Sequence, residues 1–161
     1  MVGLVDPLVD RAEAVLAGKR KTPAATAYEK TIVYPSVQAA TTLLAPTPPQ
    51  LVLLGCPPAF RGTTDPSRGF NTEKIITDAF PSCALFVEKP VGTGSVEQAK
   101  QVADMLESRP SNLVSVGYML RYSAAVQRMK QIIKDNNLVV MMTSARYVMG
   151  QCFALYSCWW P

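Results

Sequence analysis

Short continuous apolar runs recur along the chain at 1–5 (Met-Val-Gly-Leu-Val), 31–34 (Thr-Ile-Val-Tyr), 51–54 (Leu-Val-Leu-Leu), 84–87 (Ala-Leu-Phe-Val) and 113–116 (Leu-Val-Ser-Val). Runs of this kind, rather than strict apolar–polar alternation, predict strands buried on both faces of a parallel sheet. Between them the period changes to that of a helix. Leu8, Ala12, Val15 and Leu16 repeat along one face after Pro7, and Gly18 with Lys19-Arg20-Lys21 closes that helix as its dipole prefers. Ser36 opens a second helix to Leu44, and Asn71 is the predicted cap of a third to about Ala79, with Ile75 and Ile76 inward. Ser95 with Gln98 three residues on forms a capping box for a fourth, to about Glu107. Residues 121–135 place Val126, Met129, Ile132 and Ile133 on one side of a fifth, and 138–149 reads as a longer strand.

This alternation predicts an α/β fold with a doubly wound parallel sheet, followed by the first helix and strand of a second α/β domain. The boundary falls near Tyr118 to Arg121, giving domains 1–119 and 120–161. At 161 residues the chain can bury one substantial core and the start of another, but hardly two complete α/β domains.

Composition narrows the chemistry. Net charge is +4, with basic residues (among them Arg61, Arg68, Lys100 and Arg128) spread along the chain and no aromatic-interleaved basic stripe, so nucleic acid is not an expected partner. There is no histidine, and the four cysteines (Cys56, Cys83, Cys152, Cys158) have no metal-ligand spacing, so no metal site is expected. Cys56 and Cys83 sit in or beside apolar strands as packing residues. No charged-then-apolar leader precedes Asp6 and no apolar run approaches membrane-spanning length; the expectation is a cytoplasmic chain with reduced thiols and no membrane partner.

Candidate chemistry lies where strands run out, because open parallel sheets bind ligands at the carboxyl ends of their strands. Asp6 ends the first run; it can hold the ribose hydroxyls of a dinucleotide or cap the helix after Pro7. Cys56-Pro57-Pro58 ends the run at 51–54, either as a surface along which a flat cofactor lies or as a rigid turn. Glu88-Lys89-Pro90 ends the run at 84–87, as a catalytic turn or a solvated bend. Gly117-Tyr118-Met-Leu-Arg121-Tyr122 follows the run at 113–116, where Arg121 can bind an anionic or hydroxyl-rich substrate or pair with a surface acid. Gly92-Thr-Gly94 lacks a third glycine and follows the wrong strand for a phosphate loop, so it reads as a turn.

Asp6, the prolines at 57 and 58, Glu88-Lys89-Pro90 and Gly117-Tyr118-x-x-Arg121-Tyr122 occur in the order and approximate spacing of the Gfo/Idh/MocA oxidoreductases, which the chain resembles over about residues 1–149. Ala145-Arg146-Tyr147-Val148 also looks like the opening sheet strand of that family's second domain. The resemblance implies an incomplete Rossmann domain for NAD or NADP, then part of a domain that covers the nicotinamide and oligomerises through its sheet. It implies hydride transfer between the cofactor and a small-molecule sugar, polyol or related alcohol. Lys89 would be the catalytic residue beside the nicotinamide and the reacting hydroxyl. Asp6, Pro57, Pro58, Glu88 and Lys89 would hold the cofactor, Pro90 would fix the turn through a cis bond, and Tyr118 and Arg121 would bind substrate. Asp6 favours NAD, and Arg11 leaves NADP open.

Three departures qualify that expectation. The chain starts at what looks like the family's second strand, without the glycine-rich loop that binds pyrophosphate. It lacks the histidine that commonly acts as acid or base in the second domain, and only the first helix and strand of that domain fit before residue 161. The expectation is therefore a chain truncated relative to the family, with weak or no dehydrogenase activity by itself. The alternative is a non-catalytic interaction module or fragment that uses an exposed sheet edge, as a homo- or hetero-oligomer, to pair with a full-length paralogue.

Overall fold

A computed structural model of the chain describes residues 1–144. They divide into two compact units, Met1–Tyr118 and a second beginning at Met119. The first unit runs β1 (Gly3–Val5), α1 (Val9–Lys19), β2 (Ile32–Tyr34), α2 (Val37–Leu44), β3 (Leu51–Leu54), α3 (Thr72–Ala79), β4 (Ala84–Val87), α4 (Val96–Glu107) and β5 (Val114–Val116), with short 3₁₀ turns in the loops. In the second unit a 3₁₀ turn, Met119–Tyr122, leads into α5 (Ala124–Asp135).

Every strand pairing among the described residues is parallel, as the run-helix-run pattern predicts. The strands pair in two patches, β1 with β2 and β3 with β4 with β5. In the larger patch Leu54 lies opposite Val87, and Val87 opposite Val116, so three carboxyl ends finish at one edge.

The local signals are mostly where the sequence puts them. The Ser36 hydroxyl accepts from the Ala39 amide, and Ser95 and Gln98 exchange the reciprocal bonds of a capping box. Asn71 stands at the cap of α3, but its side chain makes no capping bond. Helix α1 starts at Val9 instead of Pro7, because the Asp6 carboxylate accepts the Leu8 amide and holds the chain in a turn for one more residue.

The expectation of strands buried on both faces needs correction. Leu54, Leu85 and Val87 are buried, together with Ile76 and Phe80 of and after α3, and Cys83. Val37 and Leu44 of α2, Leu106 of α4, and Val52, Cys56 and Val114 pack against that cluster. The opposite face carries Leu51 (53% exposed), Leu53 (70%) and Phe86 (37%). The described helices that reach this core all lie on one side of the sheet, so alternate strand residues stay in water. The apolar stripe expected of the first helix is also only partly covered: Ala12 and Leu16 of α1 are buried, while Val15 and the preceding Leu8 are exposed. In α5, Met129 and Ile132 are exposed and only Val126 and Ile133 are half-buried. Residues 138–144 form no strand; the rest of the long strand expected there, with Ala145 to Val148, lies outside the described residues.

Asn112 fastens the lower end of the larger sheet. Buried in the turn before β5, its amide donates to the carbonyls of Phe80 (3.2 Å) and Cys83 (2.8 Å). Asn112→Ala removes the side-chain donor from the Cys83 carbonyl and leaves the Phe80 carbonyl with the Cys83 amide (3.1 Å) alone, and should lower the stability of this unit by about 2 kcal/mol. Urea denaturation at equilibrium measures it; a midpoint equal to that of the unsubstituted chain refutes the assignment.

Candidate active site at the carboxyl edge of the sheet

Parallel register carries β3, β4 and β5 to a common edge, and the strand-end loops meet there. The Glu88 amide donates to Leu54 (3.0 Å) and the Gly117 amide to Val87 (2.9 Å), extending the ladder one residue past the strands. A Cβ on Gly117 would stand 2.8 Å from a Glu88 carboxylate oxygen and 3.2 Å from the Phe86 ring, so the absence of a side chain lets the Glu88 carboxylate lie against the start of the β5 loop. The three sequence motifs at Pro57-Pro58, Glu88-Lys89-Pro90 and Gly117-Tyr118 are therefore neighbours. Pro57, Lys89 and Tyr118 are exposed, while Pro58 and Glu88 are half-buried. The Lys89–Pro90 peptide is cis.

A residue that carries no motif ties these loops together. Arg61 reads in the sequence as one of the scattered surface cations, yet it is only 4% exposed. Its Nε donates to the Cys56 carbonyl (2.9 Å), Nη1 to the Val91 carbonyl (3.1 Å), and Nη2 to the Glu88 carbonyl. One planar fork thus joins the loop after β3 to both flanks of Lys89-Pro90. Gly62 follows it at φ +82°, and a Cβ there would stand 2.6 Å from the Val91 carbonyl oxygen. Only glycine accepts both that conformation and that approach. The Gly62 amide in turn donates to the Glu73 carboxylate (3.2 Å), a side chain 1% exposed in the first turn of α3. Neither Arg61 nor Glu73 carries a periodic or motif signal. The clue available was an arginine-glycine pair directly after a proline-rich strand end, where many carbonyls are left without ladder partners.

Asp6 stands at the carboxyl end of β1, in the other sheet patch. Its amide donates to Tyr34 (3.1 Å), and its carboxylate accepts the Leu8 amide (2.8 Å) and pairs with Arg11 (2.8 Å). Desolvation by itself raises this carboxyl, but the Arg11 and Leu8 hydrogen bonds and the Arg11 charge outweigh it and hold the group below the usual aspartate range. Both readings of Asp6 are compatible with this geometry: it organises the helix entry, and it presents an anionic group beside an exposed guanidinium at a strand end. The sheet hydrogen bonds do not link it to the other three motifs. Arg121 lies in the Met119–Tyr122 turn of the second unit and is exposed.

The Cys56 thiol, half-buried beside Pro57, is pushed up by burial, the Arg61 charge opposing; it is a packing group held in its neutral form. No cluster of three or more metal-ligating side chains occurs among the described residues, and no described helix is long and apolar enough to cross a membrane.

Comparison with known proteins gives this edge its context. Residues 1–118 match a family described as an oxidoreductase family with an NAD-binding Rossmann fold, GFO_IDH_MocA, and residues 121–161 match a family described as a putative oxidoreductase C-terminal domain. Two uncharacterised proteins of Schizosaccharomyces pombe are similar. One is 38% identical over 150 residues, 91% of this chain and 38% of the relative; the other is 36% identical over 163 residues, 99% and 39%. The chain thus spans about two fifths of the length of these curated relatives. No solved structure matches it.

Burial pushes the Glu73 carboxyl above the ordinary glutamate range; its hydrogen bonds from backbone amides and the nearby Arg61 charge pull the other way without cancelling it. The folded chain therefore holds this proton more tightly than the unfolded chain, and the contribution of Glu73 to stability falls as pH rises from the ordinary glutamate value through the raised one. Glu73→Gln keeps an oxygen for the Gly62 amide and removes the titration. The variant should gain stability relative to the unsubstituted chain between about pH 4 and about pH 7, by on the order of 1 kcal/mol. Urea midpoints at the two pH values measure this, and a difference that does not change with pH refutes it.

Proposed function

The chain belongs to the Gfo/Idh/MocA oxidoreductase family, and on that premise we propose that its site is that of an NAD(P)-dependent dehydrogenase acting on a sugar, polyol or related alcohol. The observation that carries this reading is the meeting of three strand-end loops at one sheet edge, with Lys89 exposed at its centre. A nicotinamide bound there supplies the hydride acceptor or donor. The Lys89 ammonium hydrogen-bonds the substrate oxygen and stabilises the negative charge that develops on it. Glu88 lines the cofactor cleft, Pro57 and Pro58 form a rigid surface beside it, and Tyr118 holds a substrate hydroxyl; Arg121, in the second unit, is proposed to bind substrate on the family resemblance alone. At the other patch Asp6 accepts the ribose hydroxyls and favours NAD, while Arg11, already paired with it and 57% exposed, can turn to a ribose phosphate and admit NADP.

The residues present fit the two ends of a dinucleotide better than its middle. Among the described residues no glycine-rich strand-to-helix loop offers amides to a pyrophosphate, and the sequence contains no histidine. In our reading the 161-residue chain by itself therefore binds dinucleotide weakly and turns over slowly. A second reading, an interaction module, is favoured by the exposed Leu51, Leu53 and Phe86 face and by the edge of β3 that no described strand pairs, which suit a partner chain.

Titration with NADH and NADPH, followed by fluorescence, should give affinities weaker than micromolar, with slow polyol-dependent formation of reduced cofactor. Lys89→Ala should remove that turnover and leave the near-ultraviolet circular dichroism unchanged, because the side chain lies in solvent at a strand end. Turnover that survives the substitution overturns the role of Lys89. A chain that binds no cofactor yet sediments as a dimer favours the interaction module.

A second expected outcome concerns cofactor choice. Asp6→Ala frees Arg11 and removes the anion that repels a ribose phosphate, so preference should move toward NADPH by about tenfold. Paired titrations read the ratio, and an unchanged ratio removes Asp6 from the cofactor site.

A further inference from the structure

The strongest unassigned feature of the molecule is the buried guanidinium beneath the Glu88-Lys89-Pro90 turn. Arg61 is nine-tenths and more buried and forms no ion pair with an acid among the described residues; its three hydrogen-bond partners are all backbone carbonyls. Two of those carbonyls, Glu88 and Val91, bracket Lys89, and the third, Cys56, belongs to the loop that carries Pro57 and Pro58. A cation placed only to neutralise charge would meet a carboxylate, and a side chain placed only to fill space would be apolar. This one holds the backbone on both sides of an exposed lysine and fixes it to the neighbouring strand-end loop.

We propose that Arg61 is a positioning residue: by gripping the Glu88, Val91 and Cys56 carbonyls with one planar fork it sets where the Lys89 side chain leaves the sheet edge. The role of Lys89 itself rests on the dehydrogenase reading above. Lysine is flexible along four methylenes, so its ammonium can be aimed only if its backbone is held; a terminus displaced by about an ångström loses on the order of a hundredfold in rate. Gly62 and Glu73 complete the device. Glycine at +82° turns the chain away directly after Arg61 while leaving room for the Val91 carbonyl, and the Glu73 carboxylate anchors that turn through the Gly62 amide. Arginine is specific here, because a lysine at 61 has no planar fork with which to meet three carbonyls at once.

The test uses the full chain and two independent readouts. Backbone ¹⁵N relaxation of the unsubstituted protein should show Lys89, Val91 and Gly92 as rigid as the β4 residues Leu85 to Val87, with order parameters near about 0.85. In Arg61→Lys those three should fall below about 0.6 while β4 stays rigid. Gly62→Ala, which keeps the guanidinium but pushes on the Val91 carbonyl, should loosen Val91 and Gly92 in the same way. With a polyol and NAD(P), Arg61→Lys should lower kcat by about tenfold or more and change KM for the cofactor less than about threefold. A loop already mobile in the unsubstituted chain, one equally rigid in Arg61→Lys, or a loosening spread evenly over the whole unit overturns the inference. Absence of turnover in the unsubstituted chain overturns the dehydrogenase reading alone, since the relaxation data still decide whether Arg61 holds Lys89.

Discussion

A guanidinium removed from water is costly: the effective penalty for burying one ion is several kcal/mol, and it is tolerated only where good hydrogen bonds replace the lost hydration. Arg61 meets that condition with three backbone carbonyls. Hydrogen bonds to a charged group contribute about 1.5–3 kcal/mol each, so three of them are of the size needed to offset the desolvation. The consequence is organisation more than net stability. Loops that leave adjacent parallel strands have carbonyls no ladder can satisfy, and would otherwise turn them to solvent in many arrangements. One rigid donor fork selects a single arrangement, in which the prolines after β3 and the lysine after β4 stand side by side.

The charge balance around that fork follows the same logic. Glu73, the buried acid near Arg61, is raised by desolvation, so it is not the full counter-charge that a simple ion pair would require. Its work is local, receiving the Gly62 amide and holding the turn. At the sheet's far end the exposed acids behave oppositely. Asp78, pulled down first by the Lys74 hydrogen bond and further by Arg109, against some desolvation, belongs to a surface pair between α3 and the turn before β5, with Arg109 also donating to Thr77 (2.6 Å). Such exposed pairs contribute about 1 kcal/mol or less. The buried group decides geometry, and the surface pairs tune it.

How much of this was legible in the sequence depends on the range of the interaction involved. Ser36, Ser95 and Gln98 act within three residues of themselves, and the sequence predicts them correctly. The strand ends at Asp6, Pro57, Glu88 and Gly117 were also readable, since a continuous apolar run stops visibly at each. Asp6 shows the limit of that reading: it lies at the expected strand end, yet its side chain is engaged with Leu8 and Arg11, so both of its possible roles stay chemically open. Which face of a strand is covered was not readable. Leu53 and Leu54 are the same residue type at adjacent positions, one 70% exposed and one 6%, and only the side on which α2, α3 and α4 pack separates them. Arg61 and Glu73 were invisible for the same reason, because their partners are carbonyls and an amide up to 30 residues away, and any sequence supplies those.

The division of the strands into two patches bears on how such a site can work. A dinucleotide reaches across a parallel sheet from ribose to nicotinamide, and here the ribose-facing Asp6 of our reading ends one patch while Lys89 ends the other. Affinity must then come from holding both ends at a fixed separation, and any looseness between the patches is subtracted from it as entropy. Within the larger patch, on our proposal, Arg61 fixes the loop geometry through the Cys56, Glu88 and Val91 carbonyls. On the proposed roles, the Lys89 end of the site is held by the three Arg61 hydrogen bonds within the larger patch, whereas the Asp6 end is held within the smaller one, so chemistry and cofactor binding draw on separately fixed parts of the chain.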